Sequence, residues 1–180
     1  MAESEDKQRW WRTLWSWMWP IAIGWLVAVG IMHWVISFAI VPTSSMYPTI
    51  PNPCYILVDH VATETQSPYR GEVVLFPFPD DPSQIYVKRI IGMPGETVTI
   101  HGGHVYINHH ELSEPYLHGV LTPGTWGPYH VPAGHYFMLG DNRAVSDDSR
   151  YWIHKYVARN TIIGRADFVV WPVSKWTPIQ

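Results

Sequence analysis

An N-terminal membrane-spanning helix followed by an antiparallel β domain, folded-sheet or barrel-like in form, is the architecture that this sequence predicts. Three observations carry it. No Asp, Glu, Lys or Arg occurs from Thr13 to Val58. Beyond that stretch, short apolar runs alternate with glycines and prolines, the pattern of many short strands. With 180 residues, the chain has room for one compact domain once an anchor is subtracted.

The anchor comes first. The apolar part, Leu14 to Ile40, holds 27 residues. At ~1.5 Å per residue it is ~40 Å long, enough to cross a ~30 Å hydrocarbon layer with tilt. Trp10, Trp11, Trp15, Trp17 and Trp19 gather at one end, as an interfacial aromatic belt does. Pro20 is expected in the first turns, where a missing N–H costs least. His33 and Ser37 are read as snorkelling or bonded to backbone. Lys7, Arg9 and Arg12 precede the span, and the next cation is Arg70. The positive-inside rule then puts residues 1–13 in the cytoplasm, the helix at 14–40, and residues 41–180 on the outer face. A cleavable signal peptide is the competing reading, with Ser37-Phe38-Ala39 as a small-x-small site. The apolar run is about twice the usual ~7–15 residues of such a segment, which favours an uncleaved anchor. With the span ending at Ile40, the tether to Ser45 is ~16 Å.

The β domain follows. Tyr55–Val58 is a short apolar strand. Gly71–Phe76 is a second, stopped by Pro77 and Pro79. Ile85–Ile91 is a third, closed by Gly92-Met93-Pro94-Gly95. Thr97–Ile100 and His104–Ile107 flank His101-Gly102-Gly103, a hairpin signal. His135–Leu139 leads into Gly140-Asp141-Asn142, and residues 162–171 form the last strand. Residues 113–134 and 143–160 are expected to be irregular. Phe76-Pro77-Phe78, Trp126, Trp171 and Trp176 suit either a core or a lipid interface.

Composition excludes some function classes. The net charge is -3 with scattered cations, which argues against nucleic acid as a partner. Cys54 is the only cysteine, so no internal disulfide forms. No basic neighbour lowers its pKa, and it reads as a small core residue. His101, His104, His109 and His110 lack a ligand pattern and read as surface histidines, so no metal and no cofactor are expected.

Three stretches carry candidate chemistry. Pro42-Thr43-Ser44-Ser45-Met46-Tyr47-Pro48-Thr49 is a hydroxyl-rich run between prolines, and reads as a loop on a fixed path that presents a serine. In Tyr86-Val87-Lys88-Arg89-Ile90-Ile91, alternation puts Lys88 with Tyr86 and Ile90, and Arg89 with Val87 and Ile91. A lysine among apolar neighbours loses hydration and shifts toward its neutral form, which can act as a general base toward a serine hydroxyl. That hexapeptide alone also reads as a surface strand with two solvated cations. The third stretch, residues 140–150, mixes turn formers, hydroxyls and opposite charges. It reads either as a solvated loop or as a rigid support.

Taken together, these stretches resemble the type I signal peptidases, the bacterial leader peptidase family, in its single-span form. Ser45-Met46-Tyr47-Pro48-Thr49 looks like the nucleophile box. Arg70–Phe76 resembles the Arg-Gly-Asp-apolar box, with Glu72 for Asp. Tyr86–Glu96 resembles the general-base box, with Glu96 for Asp. Gly140-Asp141-Asn142-Arg143, Ser146 and Asp148-Ser149-Arg150 resemble the final box. The resemblance covers about residues 38–172. Pro53-Cys54, Ala144-Val145 and Ile153-His154-Lys155-Tyr156 depart from the family pattern.

The resemblance implies a membrane-bound serine endopeptidase that removes signal peptides from exported preproteins, cutting after small residues at -1 and -3. It assigns Ser45 as nucleophile and Lys88 as general base. The Ser45 N–H and the Thr43 hydroxyl become oxyanion donors. Ser146 orients the lysine, Asp141, Asp148 and Arg150 support the site, and Arg89 joins that network. Val41, Pro42, Met46, Ile50, Tyr86 and Val87 line the substrate pockets. Partners are membrane-tethered preproteins and the lipid bilayer, and the location is a bacterial plasma membrane; oligomeric state is not readable. Alternatives are a Ser45–His135–Asp141 triad and a non-catalytic anchored scaffold. A self-cleaving Ser/Lys repressor would need a DNA-binding domain where the apolar segment stands.

Overall fold

The computed structural model describes residues 2–179. The side chains of residues 2–9, 12–14 and 33 lie outside the described residues, so the readings of Lys7, Arg9, Arg12 and His33 rest on sequence alone. The chain divides into two units, residues 1–36 and 37–180.

The first unit is one helix, α1 (Ala2–Trp34). Its Trp15–Met32 window has the length and hydropathy of a membrane span. The helix begins earlier than the apolar segment because Ala, Glu, Lys, Gln and Arg before it are good helix formers. Pro20 is therefore interior to the helix rather than in its first turns. The helix also ends earlier than the expected Ile40. Residues Ile36–Val41 form strand β1 instead. Val35, Ile36, Ile40 and Val41 are β-branched, and β1 finds a partner in β2 (Cys54–Asp59), so pairing outweighs continuation of the helix. Ten residues, 35–44, thus lie between the helix end and Ser45. Fully extended they reach about 33 Å, which replaces the shorter tether expected from sequence.

The second unit is mostly antiparallel β, as the sequence predicts. After β2, Asp59 caps α2 (His60–Thr65) by accepting from the Ala62 N–H at 3.0 Å, a helix start the strand pattern concealed. Strands β3 (Val73–Phe78) and β4 (Asp81–Gly92) form a long hairpin. Strand β3 runs through Pro77, opposite Ile85. On its other side β3 pairs only Val74 and Leu75, with Arg165 and Gly164, so Pro77 lies where a missing N–H costs least. Strands β5 (Thr97–His101) and β6 (His104–Ile107) make the expected hairpin. Its turn residues Gly102 and Gly103 both have positive φ, which glycine adopts without strain. Strand β7 (His110–Glu111) adds to β6.

The supposedly irregular connections contain strands too. Strand β8 (Trp126–His130) pairs β5 at the edge of the small sheet. Gly127-Pro128 masks it in the sequence, and such residues are tolerated at an edge. Strand β9 (His135–Leu139) pairs β10 (Val157–Ala158). Strand β11 (Gly164–Trp171) pairs β2, β3 and the terminal β12 (Thr177–Pro178). The large sheet runs β1-β2-β11-β3-β4-β9-β10, and the small one β7-β6-β5-β8.

Three apolar clusters hold these sheets. One joins Met46, Ile50, Cys54, Ile56, Val58, Leu75 and Val169. A second joins Ile91, Phe137 and Leu139 of the large sheet to Val98, Ile100 and Val105 of the small one. A third surrounds Trp152 with Val74, Phe76, Ile90 and Met138. Cys54 is buried in the first, and desolvation raises its thiol pKa against a weaker pull from Lys175. The sheets approach closely at Gly92. A Cβ there would lie 2.6 Å from Val98 Cγ2 and 2.9 Å from Phe137 Cβ. Gly92→Ala is therefore expected to destabilise the domain by about 1–3 kcal/mol, read as a lowered midpoint in denaturant unfolding of the detergent-solubilised protein.

Candidate active site

The 43–50 segment turns tightly after β1. Tyr47 N–H donates to the Ser44 carbonyl at 3.1 Å and Ile50 N–H to the Met46 carbonyl at 2.8 Å. Met46 and Ile50 point into the core, so the turn is anchored by its apolar residues while Thr43 and Ser44 stay exposed and Ser45 half-buried. The Thr43 and Ser45 hydroxyls are 3.4 Å apart. The Ser45 N–H donates to no carbonyl or side chain among the described residues.

Strand β4 carries its two cations on opposite faces. Lys88 is buried at 3% exposure, with Nζ 5.4 Å from the Tyr86 ring centre. It forms no ion pair among the described residues. Desolvation lowers the amine pKa from 10.5 to about 8, although Asp148 and Asp147 pull it upward. Arg89 is equally buried, but paired. Its Nε donates to Asp141 Oδ1 at 2.8 Å and its Nη2 to Oδ2 at 2.6 Å. Nη1 donates to the Gly71 carbonyl at 2.6 Å, and the guanidinium stacks 3.9 Å above the Tyr116 ring.

The loop after β9 binds both other segments. Asp141 Oδ2 also accepts from Thr49 Oγ1 at 2.5 Å. Asn142 N–H donates to the Ser45 carbonyl at 3.0 Å, and Asn142 Nδ2 to the Ser44 carbonyl at 3.1 Å. Asp148 pairs with Arg150 Nε at 2.8 Å and accepts from the Gly140 N–H at 3.1 Å. Arg150 Nη2 reaches the Arg143 carbonyl. Arg143 in turn pairs with Glu114 and takes Thr122 as a hydrogen-bond partner at 2.6 Å. Ser146 is buried, and its hydroxyl has no partner among the described residues. Gly140 has no side chain for a packing reason. A Cβ there would collide with Ser146 Oγ and lie 2.5 Å from the Ser45 carbonyl oxygen.

A groove of about 410 Å³ results. Residues 40–45 and 84–88 form its walls, and Val145 and Asp147 its rim. Strand β9 pairs β4 only over Arg89–Gly92, so, among the described residues, positions 84–88 keep one strand edge unpaired. Such an edge accepts an extended peptide by β-augmentation.

Among known proteins, the family model described as "Signal peptidase, peptidase S26" matches residues 14–171. The chain belongs to the signal peptidase family. It is 38% identical over 170 residues to a signal peptidase I of Bacillus amyloliquefaciens, covering 89% of this chain and 86% of that one. It is 37% identical over 162 residues to a signal peptidase I of Leptolyngbya laminosa, covering 86% and 78%. A crystal structure of a signal peptidase I from Enterococcus faecalis matches with TM-score 0.50 and 36% identity, over 56% of this chain and 97% of that one. As a signal peptidase the protein is a serine protease, and its reaction is the removal of signal peptides from preproteins.

Val41, Pro42, Thr43, Ser45, Tyr86, Val87 and Lys88 line one groove. Met46 and Ile50, expected there too, are fully buried beneath it in the core and are not lining residues. The alternative triad is not assembled. His135 Nδ1 bonds the Ala133 carbonyl, Asp141 is taken by Arg89 and Thr49, and His135 is not in the groove. Gln84, Ile85, Val145 and Asp147 line the groove without having been singled out from sequence. Their signal was positional: Gln84 and Ile85 precede Tyr86 on one strand, and Val145 and Asp147 flank Ser146. Ser37, read as snorkelling or bonded to backbone, instead meets His60 Nε2 at 2.8 Å.

The Arg89–Asp141 pair is fully buried. Removing one partner strands the other, at a cost of about 3–5 kcal/mol. Arg89→Met and Asp141→Leu are each expected to destabilise by that amount in denaturant unfolding. The double variant should recover most of the stability, yet not the peptidase rate, because Thr49 loses its tie to the loop.

Proposed function

We propose that Ser45 and Lys88 form a Ser/Lys dyad that cleaves preproteins after small residues at -1 and -3. The observation that carries this reading is their presence in one groove, with the lysine buried and its amine at about 8. In the reading, neutral Lys88 takes the Ser45 proton and Ser45 attacks the scissile carbonyl, giving an acyl-enzyme. The unpaired Ser45 N–H and the Thr43 hydroxyl stabilise the oxyanion, a contribution of about 3 kcal/mol per donor in related chemistry. Protonated Lys88 gives its proton to the leaving amine, then activates water for deacylation. The partnerless Ser146 hydroxyl is available to orient the amine, and Asp141, Asp148, Arg150 and Arg89 hold the loop that carries it. These steps call on no metal or cofactor.

The groove suits this substrate class. Its walls are Val41, Pro42, Tyr86 and Val87, and an extended chain on the free edge of β4 turns alternate side chains toward them. That spacing matches a requirement at -1 and -3. The apolar helix window at Trp15–Met32 supports anchoring in a bacterial plasma membrane, and Lys7, Arg9 and Arg12 before it support a cytoplasmic N-terminus.

Cleavage of an Ala-x-Ala preprotein in detergent or lipid tests the dyad. Ser45→Ala and Lys88→Ala are expected to lose activity while remaining folded. Undiminished cutting by Ser45→Ala would sink the nucleophile assignment. In the wild type, kcat/KM is expected to rise with pH through an apparent pKa of about 8, because only the neutral amine is a base.

Stability supplies a second check. Between pH 8 and 10.5 the unfolded chain binds a Lys88 proton that the folded protein does not. Wild-type stability therefore increases with pH across that window, and the penalty is complete below it. Lys88→Met removes the penalty. It is expected to be inactive yet more stable at pH 7, by on the order of 2–3 kcal/mol, with the gain fading as pH approaches 10.5.

A further inference from the structure

Most carboxylates around the groove are spoken for. Asp141 meets Arg89, Asp148 meets Arg150, and Glu114 meets Arg143. Asp147 differs. It is exposed, lines the groove with Ser45 and Lys88, and forms no ion pair among the described residues. Its side-chain hydrogen bond among the described residues is with the Tyr86 hydroxyl, which donates to Oδ2 at 3.3 Å, and its charge raises the pKa of Lys88. Alternation along the loop explains the placement: Ser146 is buried while Val145 and Asp147 stay exposed and face the groove.

Electrostatics follows from that inventory. Among the described residues, the charged types lining the groove are Lys88 and Asp147; the lysine is buried, whereas the carboxylate is exposed. The carboxylate is therefore the charge that a bound chain meets at the solvent-facing side of the groove. Asp81, bonded to the lining residue Gln84, is a second carboxylate at that end, and its side-chain donors among the described residues, Ser83 and Gln84, are neutral.

We propose that Asp147 is a specificity-determining residue, favouring substrates that carry a lysine or arginine within two residues of the scissile bond. The proposal rests on the Ser45/Lys88 reading, which places bond cleavage in this groove. An exposed ion pair of this kind stabilises by up to ~1 kcal/mol, about fivefold in rate constant, and salt screens it. A merely solvated loop carboxylate would give no discrimination.

Peptides with one Ala-x-Ala site, neutral or with Lys or Glu at -2, +1 or +2, test this with the full-length protein in detergent. At one of these positions the wild type is expected to cut the Lys peptide about fivefold better than the Glu peptide at low salt. The ratio should approach one in 1 M salt and in Asp147→Asn, and persist in Asp147→Glu. Equal rates at all three positions, or an undiminished ratio in Asp147→Asn, would overturn the proposal. Should Asp147→Asn fail to fold, Asp147→Ser supplies the neutral variant, and the wild-type ratio and its salt dependence decide alone. Failure to cut the neutral peptide, or cutting by Ser45→Ala, overturns the dyad reading and this inference with it. Cutting without charge discrimination overturns this inference only.

Discussion

The site depends on one buried carboxylate. Asp141 accepts two hydrogen bonds from Arg89 and a third from Thr49. Those partners come from β4 and from the turn after β1, and Asp141 itself from the loop after β9. One side chain therefore ties three segments that are far apart in sequence. With its charge fully buried, its geometry is strongly constrained, because any displacement leaves an uncompensated ion in a low-dielectric interior. Asn142, the next residue, carries that constraint to the Ser44 and Ser45 carbonyls.

The two cations of β4 show how one strand does two opposite jobs. Arg89 is buried against a carboxylate. Lys88 is buried without an ion pair among the described residues, and desolvation lowers its amine pKa. The difference lies in chemistry as well as position. A guanidinium keeps its charge and needs a fork of acceptors, whereas an ammonium on a flexible stem gives up its proton when water is removed. The period of two in β structure puts them on opposite faces, so a structural ion pair and a candidate base sit side by side without sharing partners.

Glycine matters at Gly140 for a related reason. Ser146 and the Ser45 carbonyl approach it closely enough that no Cβ fits. Arg150 and Asp148 then fix the loop from behind, and Asp148 also holds the Gly140 N–H. The groove is thus formed between a rigid loop and an unpaired strand edge. It offers hydrogen bonds to an extended chain before any side chain is read.

Much was legible in the sequence. Apolar runs and Gly/Pro punctuation located β2, β3, β4, the β5–β6 hairpin, β9 and β11: β2, β5 and β6 alternate buried with open residues, while β3 and β9 bury both faces in two clusters. The charge-free segment revealed the apolar helix. Of the residues that the family motifs singled out, Thr43, Ser45 and Lys88 come to line one groove. Tertiary structure decided the rest. Residues 36–41 became a strand because β2 offered an edge, a non-local partner that no window of sequence contains. β8, with Gly127-Pro128, and the two-residue β7 and β10 exist only through their partners. Met46 and Ile50 went to the core because the turn after β1 needs anchors beneath it. Asp147 came to the groove rim through the path of a loop pinned elsewhere. Local patterns report what a residue wants from its nearest neighbours; burial, pairing and the field at Lys88 are set by segments that meet only after folding.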